Sequence, residues 1–397
     1  MELKELQQDI RTLATLEETS SQAISCYLNL EDGTAGYRNA LDERAGILRK
    51  TFSGEERKDF EAALGRIEEF IQTGLLPDVK GAAIFARGGR QPFFLPLQFR
   101  VPLPNWLVVN SIPNIYHLVE LKDTYHRFVV MISTEESARI VAVNLGEVTE
   151  ELWKERPELR KRVGRGWTKE HYQNHRRNRT DQFIKEKIQV LEQLMSAGRY
   201  AHLILAGNPR ITARVRNALP KPLAARLVDT IVASGSDRIS DVVAATISSF
   251  VEQEERESQA VVERLWEEMH TDGLAVVGIR ETLQALQRSQ VDVLVMAKAY
   301  ESEPGWSCAA CGAAGMGDWK RKVCSECGEQ QLRDADIKEE MVRMAERNGC
   351  HVEIVNHSDV LMQIGGVGAL LRYLAPGQYL WELHDQAIKQ ARAYGQL

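Results

Sequence analysis

The sequence has no apolar run that approaches the length of a membrane-spanning helix. Its first residues, MELKELQQDIRTLATLEE, are polar and helix-patterned, without the apolar core of a signal peptide. These absences set the expectation of a soluble, cytoplasmic chain without membrane contact. Internal repeats and low-complexity tracts are also missing, so ordinary globular domains are expected. There is no overall basic excess. The net charge is −6, which argues against a uniformly basic nucleic-acid binder. Cysteine is scarce: there are six, and Cys26 and Cys350 stand alone. The other four form two close pairs, which in a cytoplasmic protein point to a metal before disulfides.

What is present suggests roughly two to four domains. The chain has 397 residues, and its hydrophobic fraction of 44% is ample for several cores. ISCYLNL (residues 24–30) reads as a strand. From about Gly36 to Thr73 runs a long polar helical stretch, with Leu41, Ile47, Leu48, Phe60, Leu64, Ile67 and Phe70 at helical spacing. GAAIFARGG is a short strand closed by a glycine turn, and prolines demote QPFFLPLQFRVPLP to an edge strand or extended segment. HRFVVMISTEESARIVAVNLGEV predicts two strands in a hairpin. In DQFIKEKIQVLEQLMSAGR, a helix puts Phe183, Ile184, Lys187, Ile188, Leu191, Leu194 and Met195 along one face, with Gly198 as its C-cap.

YAHLILAG follows as a buried strand, then a helix-to-strand unit in LPKPLAARLVDTIVAS, then a long helix from about Ile239 to His270. LAVVGIRETLQALQRSQVDVLVMAK predicts strand, helix and strand. The helix DADIKEEMVRMAERNG and the strand HVEIVN come later. Strands alternating with helices give a multidomain α+β or α/β class. Boundaries near 123 and 272 divide the chain into 1–122, 123–271 and 272–397. GGVGALLRY lacks the order of a nucleotide-binding loop and reads as a turn before a final helix or strand. The tail 375–397, with Trp381, Leu383, Ile388 and Ala391, reads as an amphipathic helix.

Cys308 and Cys311 (CAAC) are separated by twelve residues from Cys324 and Cys327 (CSEC). Each Cys-x-x-Cys can turn two thiolates toward one point, and two such knuckles complete a tetrahedral Zn²⁺ site. Gly312 and Gly328 each follow a second cysteine, where a tight turn is easier. Four sulfur ligands leave no open position, so one structural zinc is expected, in an insert from about 300 to 333. A redox pair and an iron–sulfur centre are the alternatives.

A local basic run interrupts the acidic average. From Arg160 to Lys187 there are ten Lys and Arg against three Asp and Glu. Arg160, Lys161, Arg162, Arg165, Lys169, Arg176, Arg177 and Arg179 suit RNA phosphates. Trp167, His171, Tyr172 and His175 suit stacking on unpaired bases. A solvated helix start is the bland alternative. His171 and His175 fall on one helix face, but a zinc-peptidase pattern needs Glu where Tyr172 stands.

Five stretches in order carry a family resemblance: ISCYLNL, FVVMISTEESARIVAVNLGEV, GRGWTKEHYQNHRRNR with its long helix, DGLAVVGIRETLQALQRSQVDVLVMAK, and VEIVNHSDVLMQIGGVGALLRY. Over roughly residues 20 to 373 the chain resembles the class-one release factors of eukaryotes and archaea, Pelota, and bacterial proteins of that superfamily. The resemblance implies a three-domain architecture with a zinc-ribbon insert in the C-terminal domain, as archaeal members have. It also implies the ribosome as partner, with rRNA contacts in the tRNA A site. A translational GTPase of the elongation-factor-Tu kind is the implied partner of the C-terminal domain, and the chain itself is expected to be a monomer.

Two departures set the expected function. Release factors carry GRGGQ at the central loop, whose Gln helps place water at the peptidyl-tRNA ester. Here the matching residues are Gly164, Arg165, Gly166, Trp167 and Thr168, so a tryptophan fills the approach and a threonine replaces the Gln. The family's NIKS-type decoding tip is also missing from LDERAGILRKT, Leu41 to Thr51. The expectation is a ribosome-binding factor for hibernation or rescue that neither reads stop codons nor releases peptide, and so is not an enzyme of that kind. The alternative is a peptidyl-tRNA hydrolase or rescue release factor in which a variant GRGW loop, through Thr168 or Gln173, orients the water.

Overall fold

The computed structural model describes residues 2–155, 169–198, 200–271, 273–301, 304–317, 323–330 and 332–374, with the side chains at 34–35 and 153–178 outside the description. The N-terminal part holds α1 (Leu3–Ala14), β1 (Ala23–Asn29), α2 (Gly33–Thr51), α3 (Gly54–Thr73), β2 (Gly81–Arg87), β3 (Phe93–Phe99), β4 (Trp106–Asn110) and α4 (Tyr116–Thr124). Its antiparallel sheet has the order β3-β2-β1-β4. Ile24, Cys26 and Leu28 of β1 and Ile84 of β2 meet Tyr37 and Leu41 of α2 and Phe60, Leu64 and Ile67 of α3 in one core. Pro96 sits opposite Ile84 on the edge strand β3, where a missing N–H is harmless.

The helical stretch expected from 36 to 73 is two helices. Ser53 is extended and Gly54 takes φ +57, a conformation that disfavours a side chain. Phe52 turns back onto Phe60, with ring centroids 5.3 Å apart. Helical periodicity continues across the break, so it gave no sign of the turn.

The central part holds β5 (Phe128–Ser133), β6 (Ser137–Asn144), β7 (Glu147–Glu155), α5 (Lys169–Gly198), β8 (His202–Gly207), α6 (Pro209–Ala218), α7 (Lys221–Ala224), β9 (Leu227–Val232) and α8 (Ile239–His270). The sheet order is β7-β6-β5-β8-β9. The predicted hairpin is β5 with β6, and β7 extends it, while β8 and β9 add parallel. Ile184, Ile188, Leu191, Leu194 and Met195 of α5 pack on Val129, Met131, Leu203 and Leu205. On the other face, Phe250 of α8 stacks on Phe128 at 4.4 Å. Covering both faces explains why β5 and β8 read as continuous apolar runs.

The C-terminal part holds β10 (Ala275–Val277), α9 (Ile279–Gln287), β11 (Val291–Ala297), β12 (Pro304–Cys308), β13 (Ala314–Met316), β14 (Leu332–Asp336), α10 (Ile337–Asn348), β15 (His351–Val355), α11 (Asp359–Gln363) and β16 (Val367–Leu371). The main sheet runs β10-β16-β11-β15, and a small sheet runs β13-β12-β14. The predicted strand–helix–strand is present, but β16 lies between its two strands. The glycine run forms the turn before β16: Gly365 and Gly366 have φ +100 and +75, and a Cβ on Gly366 would lie 3.0 Å from Tyr300.

The chain divides into two compact units. One is made of 1–3 with 125–253. The other joins 4–124 to 254–397. Within the latter, α10 ties the first part of the chain to the last. Glu339 accepts the N–H groups of Ile115 and Tyr116 at the start of α4, at 2.7 and 3.0 Å. Arg343 reaches the carbonyls of Leu13 and Ala14 at 3.4 Å each and that of Pro113. Arg347 donates Nε to Ala14 at 2.7 Å, and Lys122 pairs with Glu346. Side chains from one helix thus bond backbone groups at the end of α1 and the start of α4.

Candidate functional site

The four paired cysteines converge. Their sulfurs all lie within 4.8 Å of one another. Cys308 and Cys327 are 3.6 Å apart at Sγ, and Cys311 and Cys324 are 3.5 Å apart. A tetrahedron with Zn–S of about 2.3 Å has edges of about 3.8 Å, close to these separations.

The two knuckles repeat one backbone pattern. Gly312 N–H donates to Cys308 O at 2.9 Å, and Gly328 N–H donates to Cys324 O at 2.9 Å. Cys308 N–H donates to Ala313 O, and Cys324 N–H to Glu329 O, both at 2.8 Å. Gly312 and Gly328 take φ +73 and +75, which is the reason for glycine after each second cysteine. At Cys324, burial raises the pKa, but the N–H groups of Cys327 and Glu326 outweigh it and hold the thiol at about 7. Burial instead pushes Cys311 up to about 12, and Cys327 is raised as well, so a borderline dication would have to displace protons from the set.

Around the cysteines the apolar core is small: Cys308, Ala313, Cys324 and Leu332, with Trp306 against them. So few apolar side chains give a three-stranded sheet little stability of its own, and a bound metal would supply the rest. Arg333 anchors the insert, donating to Ser307 Oγ at 2.5 Å and pairing with Glu18 at 2.9 Å and Glu340 at 3.3 Å.

The basic segment is partly within view. Arg160, Lys161, Arg162, Gly164, Arg165, Gly166, Trp167 and Thr168 lie outside the described residues. Lys169, His171, Tyr172, Gln173, His175, Arg176 and Arg177 occupy the opening turns of α5, with their side chains outside the description. Arg179 is half-buried, and Asp181 beside it pairs with Arg214 at 2.7 Å. The loop residues and the opening of α5 are contiguous in the chain, so the basic residues lead into a helix end, where backbone N–H groups favour anions. Leu41–Thr51, set against the decoding tip, lies inside α2, and only Phe52 and Ser53 separate α2 from α3. The tail residues Trp381, Leu383, Ile388 and Ala391 lie outside the described residues.

Two polar features were not singled out from the sequence. Lys187, placed on the apolar face of α5, is 1% exposed. It donates to Ser133 Oγ at 3.0 Å and Thr134 O at 2.7 Å, and its ammonium lies 4.3 Å from the centroid of the Phe183 ring. A lysine in an otherwise apolar stripe was the available signal. The second feature is an acidic group, Asp123, His351 and Glu353. Burial, then Glu353, pushes Asp123 up to about 8, while its bond from Ile354 N–H at 2.7 Å pulls the other way. Chain separation hid this group, since 227 residues part Asp123 from its neighbours in the fold.

Among the described residues no helix is long and apolar enough to cross a membrane. Residues 113–251 match the family model of the bacterial archaeo-eukaryotic release factor family 10, and residues 256–375 match that of eRF1 domain 3. The chain is similar to the peptide chain release factor subunit 1 of Pyrococcus abyssi, at 24% identity, covering 94% of this chain and 98% of that one. It is also similar to a Pelota homologue of Halobacterium salinarum, at 29% identity over 37% of this chain and 36% of the relative. A solved structure of ribosome-bound archaeal Pelota and ABCE1 aligns with a TM-score of 0.39 and 17% identity, covering 74% of this chain and 77% of that one. The chain belongs to the superfamily of archaeo-eukaryotic release factors and Pelota.

Proposed function

We propose that this chain is a ribosome-binding translation factor that enters the tRNA A site in hibernation or rescue, without reading stop codons and without releasing peptide. The observation that carries the reading is the pentapeptide Gly164–Thr168. It keeps the arginine and the flanking glycines of the superfamily's central loop and replaces the catalytic Gln with Thr168 beside Trp167. Membership in the superfamily supports the ribosome as target. The basic residues from Arg160 to Arg179 supply the phosphate contacts, and Trp167, His171, Tyr172 and His175 supply stacking.

In the same proposal, Cys308, Cys311, Cys324 and Cys327 hold one structural Zn²⁺, favoured over a redox pair by the convergence of all four sulfurs in one cluster. The functional segments are 1–122, 123–271 and 272–397. The factor acts as a monomer, and its C-terminal segment contacts a translational GTPase.

Competition on bacterial ribosomes tests the reading. The protein is expected to pellet with empty ribosomes and to be displaced by A-site tRNA. Arg176→Glu with Arg177→Glu is expected to lower binding by at least about tenfold through lost phosphate contacts. Binding indifferent to A-site tRNA and to the charge reversal overturns the assignment.

A further inference from the structure

An open groove of about 680 Å³ lies between α9, α10 and the cysteine ribbon. Its floor is Leu283, Leu286 and Met344, which are almost fully buried, so the groove offers a ligand little apolar surface there. Its exposed walls carry Arg280 and Gln284 from α9, Arg288 at the C-cap of α9, and Arg347 from α10. Positions 280, 284 and 288 follow the i, i+4, i+8 spacing of one helix face.

The guanidinium groups of Arg280 and Arg288 make no ion pair among the described residues. Elsewhere in the same unit arginines have carboxylate partners, as Arg49 has Glu61 and Arg372 has Asp292. Glu326 is the carboxylate that opposes them in the groove wall. Four thiolates around a dication carry two negative charges, and Arg347, 3.7 Å from where a Cβ on Gly312 would stand, sits where it offsets them. That leaves Arg280 and Arg288 with no ion pair among the described residues and Glu326 as the carboxylate beside them in the groove lining, on a protein whose net charge is −6.

We infer that this groove binds single-stranded RNA backbone, with Arg280 and Arg288 on phosphates and Gln284 on sugar or base edges. Half-buried Trp306 on the ribbon wall gives a base a ring to stack on. An acidic protein segment would also meet the arginines. It is disfavoured because the buried floor gives its apolar side chains little to cover, whereas Trp306 and Gln284 suit a base and a sugar. The inference does not rest on the ribosome reading, which concerns the basic segment of α5.

The test is binding of a short labelled oligouridine to the full chain across a salt series, with wild type, Arg280→Glu/Arg288→Glu, and Arg176→Glu/Arg177→Glu. The α9 variant is expected to weaken binding at least about fivefold and to flatten the log–log salt slope by about 1.4, the share of two phosphate contacts. Zinc content and the far-ultraviolet spectrum report whether that variant is folded. If it is not, Arg280→Gln/Arg288→Gln is read in its place, with the same expectation of a flatter slope. Unchanged affinity and slope in the folded α9 variant overturn the inference. Displacement of the oligonucleotide by polyglutamate of equal charge also overturns it and assigns the groove to an acidic protein. Loss only in the α9 variant keeps the groove and removes RNA binding from the basic segment, so the two readings fail separately.

Discussion

Glu339 and Arg343 stand one turn apart on α10 and between them close the ends of two other helices. The carboxylate takes the N–H groups of Ile115 and Tyr116, and the guanidinium takes carbonyls of Leu13, Ala14 and Pro113. They meet each other at 3.4 Å. Both are buried. Burial pushes Glu339 up to about 7, against the pull of Arg343 and the two amides.

Glu339→Ala leaves the buried Ile115 N–H unpaired, leaves Tyr116 N–H only the longer bond to Asn114 Oδ1 at 3.3 Å, and leaves Arg343 without its counter-charge. The expected cost is about 3 kcal/mol or more. Glu339→Ala/Arg343→Ala is expected to cost less than the sum of the single variants, because the two share one network. Urea unfolding of the four proteins checks both statements. Additive effects would mean that the residues act independently.

Metal removal is expected to be a local event. The purified protein should hold about one zinc per chain, and Cys308→Ser should hold well under half of that. The sheets of 23–110 and 275–371 have their own apolar cores, so chelation is expected to expose 304–336 to protease while the far-ultraviolet spectrum changes little. A global loss of helix signal on chelation would contradict this division.

Asp123 makes stability depend on pH. Its folded value of about 8 stands above the unfolded value of about 3.9. Between the two, the folded chain holds a proton that the unfolded chain has released, so stability falls as pH rises through this window. Glu254, pushed up to about 9 by burial and then by Glu257, acts with the same sign. In Asp123→Asn the side-chain oxygen can still accept the Ile354 N–H, and the titration is gone. The advantage of the variant in melting temperature is expected to grow from about pH 4 to about pH 8. Parallel pH curves for the two proteins would remove Asp123 from the account.

Much of the fold was legible because periodicity and local chemistry agree. The strand-forming residues of ISCYLNL, the apolar face of α5 and the strand–helix–strand pattern from Leu274 all became the elements expected. The cysteine site was legible for the same reason: the spacing and the glycines after Cys311 and Cys327 are local signals of a knuckle. The break at Phe52–Ser53 was missed because Phe60, Leu64 and Ile67 keep a helical spacing on the far side of it. The insertion of β16 between β10 and β11 was hidden because pairing order is not written in either strand. The same is true of α10: Glu339 and Arg343 look like surface charges of an amphipathic helix until partners more than two hundred residues away surround them. Gly164–Thr168 is the reverse case, where the sequence speaks and the structural description does not reach.

The central claim is binding without cleavage, and one measurement reads both halves. The full chain is pelleted with bacterial ribosomes carrying peptidyl-tRNA across a salt series, and free peptide is assayed in the same fractions. The account predicts co-sedimentation at low salt that falls by orders of magnitude between about 50 and about 200 mM, with no peptide released above the ribosome-only control. Absence from the pellet at the lowest salt would contradict the binding half. Peptide release that disappears in Thr168→Ala would contradict the other half and assign the GRGW loop a catalytic role.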